Sequence, residues 1–169
     1  HFPDTPVLAL TATADDATKR DIIRQLGLEN AALFENSFDR PEIHYSAQAR
    51  TDEVTQLLGF VAEHPSDSGI VYCLSRKRTQ EMADHLKAAG YKAECYHAGL
   101  SSQERMERQE QFIRDEINIM VATIAFGMGI DKNNVRYVVH MNLPKNIEGY
   151  YQETGRAGRE TARVGDLRR

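Results

Sequence analysis

The sequence predicts an α/β fold: a mostly parallel sheet with helices on both faces. Two observations carry this. Short β-branched runs alternate along the chain with amphipathic stretches of roughly 10–15 residues, the pattern of repeated strand–helix–strand units. One run, Gly69–Cys73, is almost wholly apolar, as a strand covered on both faces must be. The length, 169 residues, suits one compact domain or one domain carrying a piece of another.

The elements follow in order. Val7–Leu10 reads as a strand. A helix follows it: Thr13 with Asp16 three residues on fits a capping box, Ile22, Ile23 and Leu26 form an apolar face, and Gly27 suits the stop. A weaker strand is predicted at Ala31–Glu35 and a further one at Ile43–Ala47. Asp52–His64 is a helix with Val54, Leu57, Leu58 and Val61 on one side. Arg76–Ala89 is a helix capped by Ser75 and stopped by Gly90, and Lys92–Tyr96 is a strand. Ser101–Arg114 is a helix with a capping box (Ser101, Glu104) and Phe112 and Ile113 turned inward. Ile117–Ala122 and Val135–Met141 are strands, and Pro144 and Asn146 start a last helix. The polar stretch Asn36–Glu42 with its Pro41 reads as a linker.

Composition narrows the class. Hydrophobic residues make up 41% and charged residues 27%, so the chain is not a disordered tail. The two cysteines, Cys73 and Cys95, lie in strand-like runs and read as reduced, buried thiols. The sequence holds no metal-ligand spacing, no Ser-His-Asp order and no paired-carboxylate arrangement. No apolar run approaches the ~20 residues that cross a bilayer. The net charge of −4 argues by itself against nucleic acid. The distribution argues differently: residues 1–131 hold 13 Lys and Arg against 21 Asp and Glu, whereas residues 132–169 hold 8 against 4.

In a parallel sheet, ligands bind beyond the C-terminal strand ends. The loops at 73–76, 96–101, 122–132 and 141–146 are therefore the candidate sites. Thr123–Lys132 carries Gly127, Gly129 and Asp131, which suit a close backbone approach and a ribose hydroxyl. It is not the dinucleotide fingerprint, because the third glycine would fall at Lys132. A turn that needs glycine for its shape is the other reading. Gln152–Arg159 places Arg156 and Arg159 three apart between glycines, a fork for phosphate oxygens or simply a solvated basic helix end. Ser75, Arg76, Lys77 and Arg78 at a helix start form an anion site or only a cap. Tyr96–Ser101, with His97 and Gly99, is a similar strand-to-helix turn. Tyr150 and Tyr151 read as packing residues. There is no G-x-x-x-x-G-K-[ST] phosphate loop.

The order and spacing of these segments are more specific than any one of them. Leu8–Ala14, Ser37–Pro41, Tyr72–Arg76, Tyr96–Leu100, Val121–Lys132 and Gln152–Arg159 together closely resemble the RecQ family of superfamily-two DNA helicases, out to about Glu160. The most specific pieces are Ala125–Lys132 and Tyr151–Arg159. The resemblance implies a RecA-like fold. It assigns residues 1–36 to the end of a first RecA-like domain, with Thr11 and Thr13 in motif III, and residues 37–169 to a second, truncated at its end. Glu160–Arg169 departs from the family pattern. By the same resemblance the catalytic residues are Arg156, Arg159 and Gln152. The ATP contacts are Gly129, Asp131, Arg156 and Arg159, and the nucleic-acid contacts are Ser75, Arg76, Gly99 and Thr123.

The implied activity is ATP- and magnesium-dependent 3′-to-5′ unwinding of DNA in repair and recombination, in the bacterial cytoplasm or the eukaryotic nucleus. Its partners are single-stranded and partly duplex DNA, not membranes, and the magnesium ligands belong to the first domain. The competing readings are an RNA helicase or chromatin-type motor, a binding module without motor activity, and a nicotinamide-binding domain. Because the phosphate loop is missing, the 169-residue chain alone is expected to hydrolyse no ATP. DNA-stimulated turnover by the pure chain would overturn that expectation.

Overall fold

The computed structural model describes residues 5–11, 14–35, 40–123, 126, 130, 132–144 and 146–158. The chain divides into two units, His1–Arg40 and Pro41–Arg169.

In the first unit, α1 (Asp16–Leu26) is capped by Asp15, whose carboxylate accepts the Thr18 N–H at 2.7 Å. The cap is therefore Asp15 and not Thr13, which lies outside the described residues. Gly27 ends the helix in the left-handed conformation, as its position predicts. The expected strands Val7–Leu10 and Ala31–Glu35 do not form among the described residues: neither segment pairs into a sheet. A strand exists only through a ladder partner, and this unit's described residues offer none. Leu8, Leu10, Leu33 and Phe34 are exposed, and no residue of α1 is buried.

The second unit is built on a four-stranded, all-parallel sheet. Its elements are α2 (Glu53–Ala62), β1 (Ser68–Tyr72), α3 (Arg76–Ala88), β2 (Ala93–Tyr96), α4 (Ser102–Ile113), β3 (Ile119–Ala122), β4 (Val135–His140) and α5 (Ile147–Thr154). The strand order is β2-β3-β1-β4. Ile43–Ala47 forms no strand: its alternation of Ile43, Tyr45 and Ala47 mimics one, but among the described residues no neighbour pairs with it. Asp52, Ser75, Ser101 and Asn146 cap their helices, and Ser101 and Glu104 form the full capping box.

Strand alternation sorts the core into two layers. Val71, Cys73, Cys95, Ile119 and Val121 face Leu57 and Val61 of α2 and Met82, Ala83 and Leu86 of α3. Ile70, Tyr72, Met120 and Ala122 face Phe112 of α4, with Phe126 and Ile130. Helices thus cover both faces. Only Phe112 of α4 is buried; Ile113, one residue and about 100° further round, is 43% exposed, so the expectation that both point inward fails.

A bulge between Ser68 and Gly69 pairs Val135 with Ser68 but Tyr137 with Gly69. Val135 and Tyr137 therefore enter opposite layers. The Tyr137 ring lies over Gly69 so closely that a Cβ there would stand 1.9 Å from its Cε2. Glycine is the residue this approach requires. At the outer edge, Arg108 of α4 donates to the Cys95 carbonyl at 2.7 Å and so covers part of β2 that no strand covers. Both cysteines are free and buried, and burial pushes the Cys73 thiol up to about 11. Among the described residues no helix is long and apolar enough to cross a membrane.

Candidate functional site

The sheet register sets the candidate loops side by side. Tyr72 and Tyr96 both pair with Ala122, so β1, β2 and β3 end at one level. Ser75, Gly99 and Thr123 follow those ends. Ser75 is exposed and caps α3 by accepting the Arg78 N–H at 3.2 Å. Arg76 is the exposed first residue of α3. A Cβ on Gly99 would lie 3.3 Å from the Arg76 Cδ and one of its guanidinium nitrogens, so the loops after β1 and β2 meet at this pair.

His97 accepts the Gly99 N–H on its Nδ1 at 3.2 Å. Burial first, then the charges of Arg76 and Arg108, hold its pKa below the ordinary histidine value. The unprotonated ring that an accepting Nδ1 needs is the form this environment favours. His97 is therefore a turn-forming residue. Half-buried Thr123 is fixed through its backbone: its N–H donates to the Tyr96 carbonyl at 3.1 Å, and its own carbonyl accepts the Phe126 N–H at 3.0 Å.

The arginine segment leaves α5. Gln152 is exposed on that helix, whereas Glu153 and Thr154 are buried and anchor it. Arg156 follows within a turn, its N–H donating to the Glu153 carbonyl at 3.3 Å. Its guanidinium acts on Tyr72, the last residue of β1. Burial pushes the Tyr72 hydroxyl up to about 12, and Arg156 is the largest influence pulling it back. The arginine is thus held at the strand-end edge that carries Ser75. Gly158 has φ +75°, and its N–H donates to the Val135 carbonyl at 3.1 Å. The left-handed turn that ties this segment to β4 strains any side-chain-bearing residue. Gly129, Asp131 and Arg159 lie outside the described residues.

Lys132, the last residue of the glycine loop, does not face the strand ends. Its ammonium is buried, 2.5 Å from Asp115 and 5.0 Å from the centre of the Phe112 ring. The lysine and an Asn134 side chain hold the Asp115 carboxyl below the usual range. Tyr150 contacts Tyr45, His140 and Tyr151, and burial raises its hydroxyl pKa, as expected of a packing residue.

Three residues at this edge make contacts that the sequence does not assign: Tyr72 and Glu153 lie inside candidate segments without a role of their own, and His140 lies outside them. His140 Nε2 and Glu153 Oε2 are 2.6 Å apart, with side chains 12% and 7% exposed. Tyr72 stacks on His140 with ring centres 5.4 Å apart. The available signal was a carboxylate next to an apolar helix face and a histidine ending a buried strand.

The described residues contain no group of three His, Cys, Asp or Glu side chains able to hold a metal ion. They do not fit magnesium, whereas an arginine held at the strand-end edge fits a phosphate.

The helicase conserved C-terminal domain model matches residues 49–161. The chain is 50% identical over 159 residues to the ATP-dependent DNA helicase RecQ of Pasteurella multocida, a match covering 94% of this chain and 25% of that protein. It is 46% identical over 164 residues to the ATP-dependent DNA helicase Q-like 4B of Arabidopsis thaliana, covering 96% and 14%. The chain thus spans about a quarter or less of the length of these relatives. Among solved structures, Saccharomyces cerevisiae Dbp5 bound to RNA and ADP BeF3 superposes with a TM-score of 0.73 at 22% identity, over 88% of this chain and 41% of that one. This likeness establishes the RecA-like fold. The chain belongs to the helicase conserved C-terminal domain family, and over most of its length it is similar to ATP-dependent DNA helicases of the RecQ type.

Proposed function

We propose that the chain is the second motor half of an ATP-dependent 3′-to-5′ DNA helicase, preceded by the end of the first half over residues 1–36. The observation that carries this reading is the shared edge: the Arg156 guanidinium acts on Tyr72 at the end of β1, and Ser75, Gly99 and Thr123 follow the level ends of β1, β2 and β3. The exposed apolar residues of the first unit, Leu8, Leu10 and Phe34 among them, support its assignment as part of a larger domain.

Arg156 and Arg159 are assigned to the γ-phosphate of ATP, where they stabilise the charge that develops on transfer, and Gln152 is assigned to the same step. Gly129 and Asp131 are assigned to the nucleotide sugar. The other half supplies the phosphate loop and the magnesium ligands, and no step on this half uses the metal. Ser75, Arg76, Gly99 and Thr123 hold a single DNA strand through its backbone, contacts that carry no sequence information. Closure around ATP and reopening after hydrolysis move the two strand-holding surfaces past each other. This chemistry belongs to DNA unwinding in repair and recombination.

Thr123→Ala in the full-length protein tests the strand contact. A lost hydrogen bond of ordinary strength predicts a fall of about threefold to tenfold in single-strand affinity or in DNA-stimulated ATP turnover. Unchanged binding by fluorescence anisotropy together with unchanged turnover would exclude the contact.

A further inference from the structure

A contiguous set of contacts crosses the strand-end edge from Thr123 to Arg156. The Thr123 carbonyl accepts the Phe126 N–H at 3.0 Å. The Phe126 carbonyl accepts the Tyr72 hydroxyl at 3.1 Å. The Tyr72 ring stacks on its register partner His140 at an interplanar angle of 19°. His140 meets the Glu153 carboxylate at 2.6 Å, and Glu153 sits one turn before Arg156 on the same backbone. The steps span the loop after β3, then β1, β4 and α5.

Packing alone does not explain these residue types. Phenylalanine would fill the Tyr72 position without a hydroxyl to satisfy, and leucine would fill Glu153 without a buried carboxylate to desolvate. Each polar group is instead spent on the next element. A tyrosine hydroxyl is protonated at neutral pH in any case, and burial raises that of Tyr72 further, so it stays a donor to the Phe126 carbonyl well into the alkaline range. The two ends of the set are the two functions assigned above: Thr123 to the DNA strand and Arg156 to ATP.

We infer that Tyr72, His140 and Glu153 are positioning residues that couple strand binding at the loop after β3 to the placement of Arg156 on α5. A shift of Phe126 is felt by Tyr72 through the hydrogen bond, and by Glu153 through the stacked His140. The inference rests on the functional reading above. It adds a stated route by which bound DNA raises ATP turnover.

Tyr72→Phe in the full-length protein is the test, because it keeps the ring and its stack and removes one hydroxyl. ATP turnover is measured with and without a thymidine oligonucleotide, and oligonucleotide affinity by anisotropy. The expected result is basal turnover and affinity within about twofold of the parent, with the DNA stimulation reduced about fivefold or more, the lower range of site-to-site coupling. Glu153→Gln, which retains a hydrogen-bonding side chain at the His140 contact, is expected to lose less stimulation than Glu153→Ala.

Undiminished stimulation in Tyr72→Phe would overturn the inference. So would an equal fall in basal and stimulated turnover, which would make the Tyr72 hydroxyl a direct support of Arg156 or of the fold and not a link to the DNA strand. Arg159→Ala in the same assay separates the two levels. If it retains turnover, the functional reading itself fails; if it abolishes turnover while Tyr72→Phe keeps its stimulation, only the coupling route fails.

Discussion

Arg159→Ala in the full-length protein is expected to lower DNA-stimulated ATP turnover by about 10³-fold or more, while single-strand affinity stays within a few-fold of the parent. The transferred phosphoryl group spreads negative charge over its oxygens. An arginine supplied from the opposite side of the nucleotide is worth roughly 10³–10⁵ in rate. Its fork holds two oxygens at once, and its charge is retained at every working pH. Arg159→Lys is expected to recover little, because an ammonium offers a point charge without the fork. Arg156→Ala is expected to share the defect, since Arg156 lies three residues earlier in the sequence and its guanidinium acts on Tyr72 at the end of β1. The strand contacts assigned to Ser75, Gly99 and Thr123 come from other loops, which is why affinity should survive. Near-normal turnover in Arg159→Ala would remove the finger assignment, and a matching loss of DNA affinity would place the arginine in the strand channel instead.

The fold was legible where local chemistry is self-sufficient. Asp52, Ser75, Ser101 and Asn146 announce helix starts because each satisfies an orphan N–H from within its own segment. The buried strands β1 and β3 were equally clear, since continuous apolar runs have few other uses. Val7–Leu10, Ala31–Glu35 and Ile43–Ala47 misled for the opposite reason. Their patterns fit a strand, but strandedness is decided by a neighbour that local sequence does not specify.

The site divides in the same way. Loops at strand ends could be read from topology, so the segments with Ser75, Gly99 and Thr123 emerged as candidates, whereas Arg156 came from its spacing to Arg159 among glycines. Lys132 looked like part of the glycine loop, but its partner Asp115 lies 17 positions away and takes it into the domain. The pairing of His140 with Glu153 depends on where α5 is laid against β4, a tertiary fact with no periodic signature.

Phe112→Ala is expected to lower the stability of the chain by about 3–5 kcal/mol, the range for emptying an aromatic site in a core. That is a large part of the roughly 5–15 kcal/mol that holds a domain of this kind folded. The reason lies in how little else anchors α4. Phe112 is its only buried residue. The ring packs edge-on to Phe126 with centres 5.7 Å apart, and the Lys132 ammonium sits over it. Alanine would leave a void beneath the helix and expose a buried cation to a half-emptied site. The neighbouring Ile113 supplies the control: it is 43% exposed, and Ile113→Ala is expected to stay within about 0.5–1 kcal/mol of the parent. Urea midpoints of the two variants distinguish a helix held by one ring from a helix held along its length. Equal midpoints would show the second. A large loss in Phe112→Ala alone would show that the layer beneath α4, which also carries the Phe126 carbonyl bonded to Tyr72, depends on this one side chain.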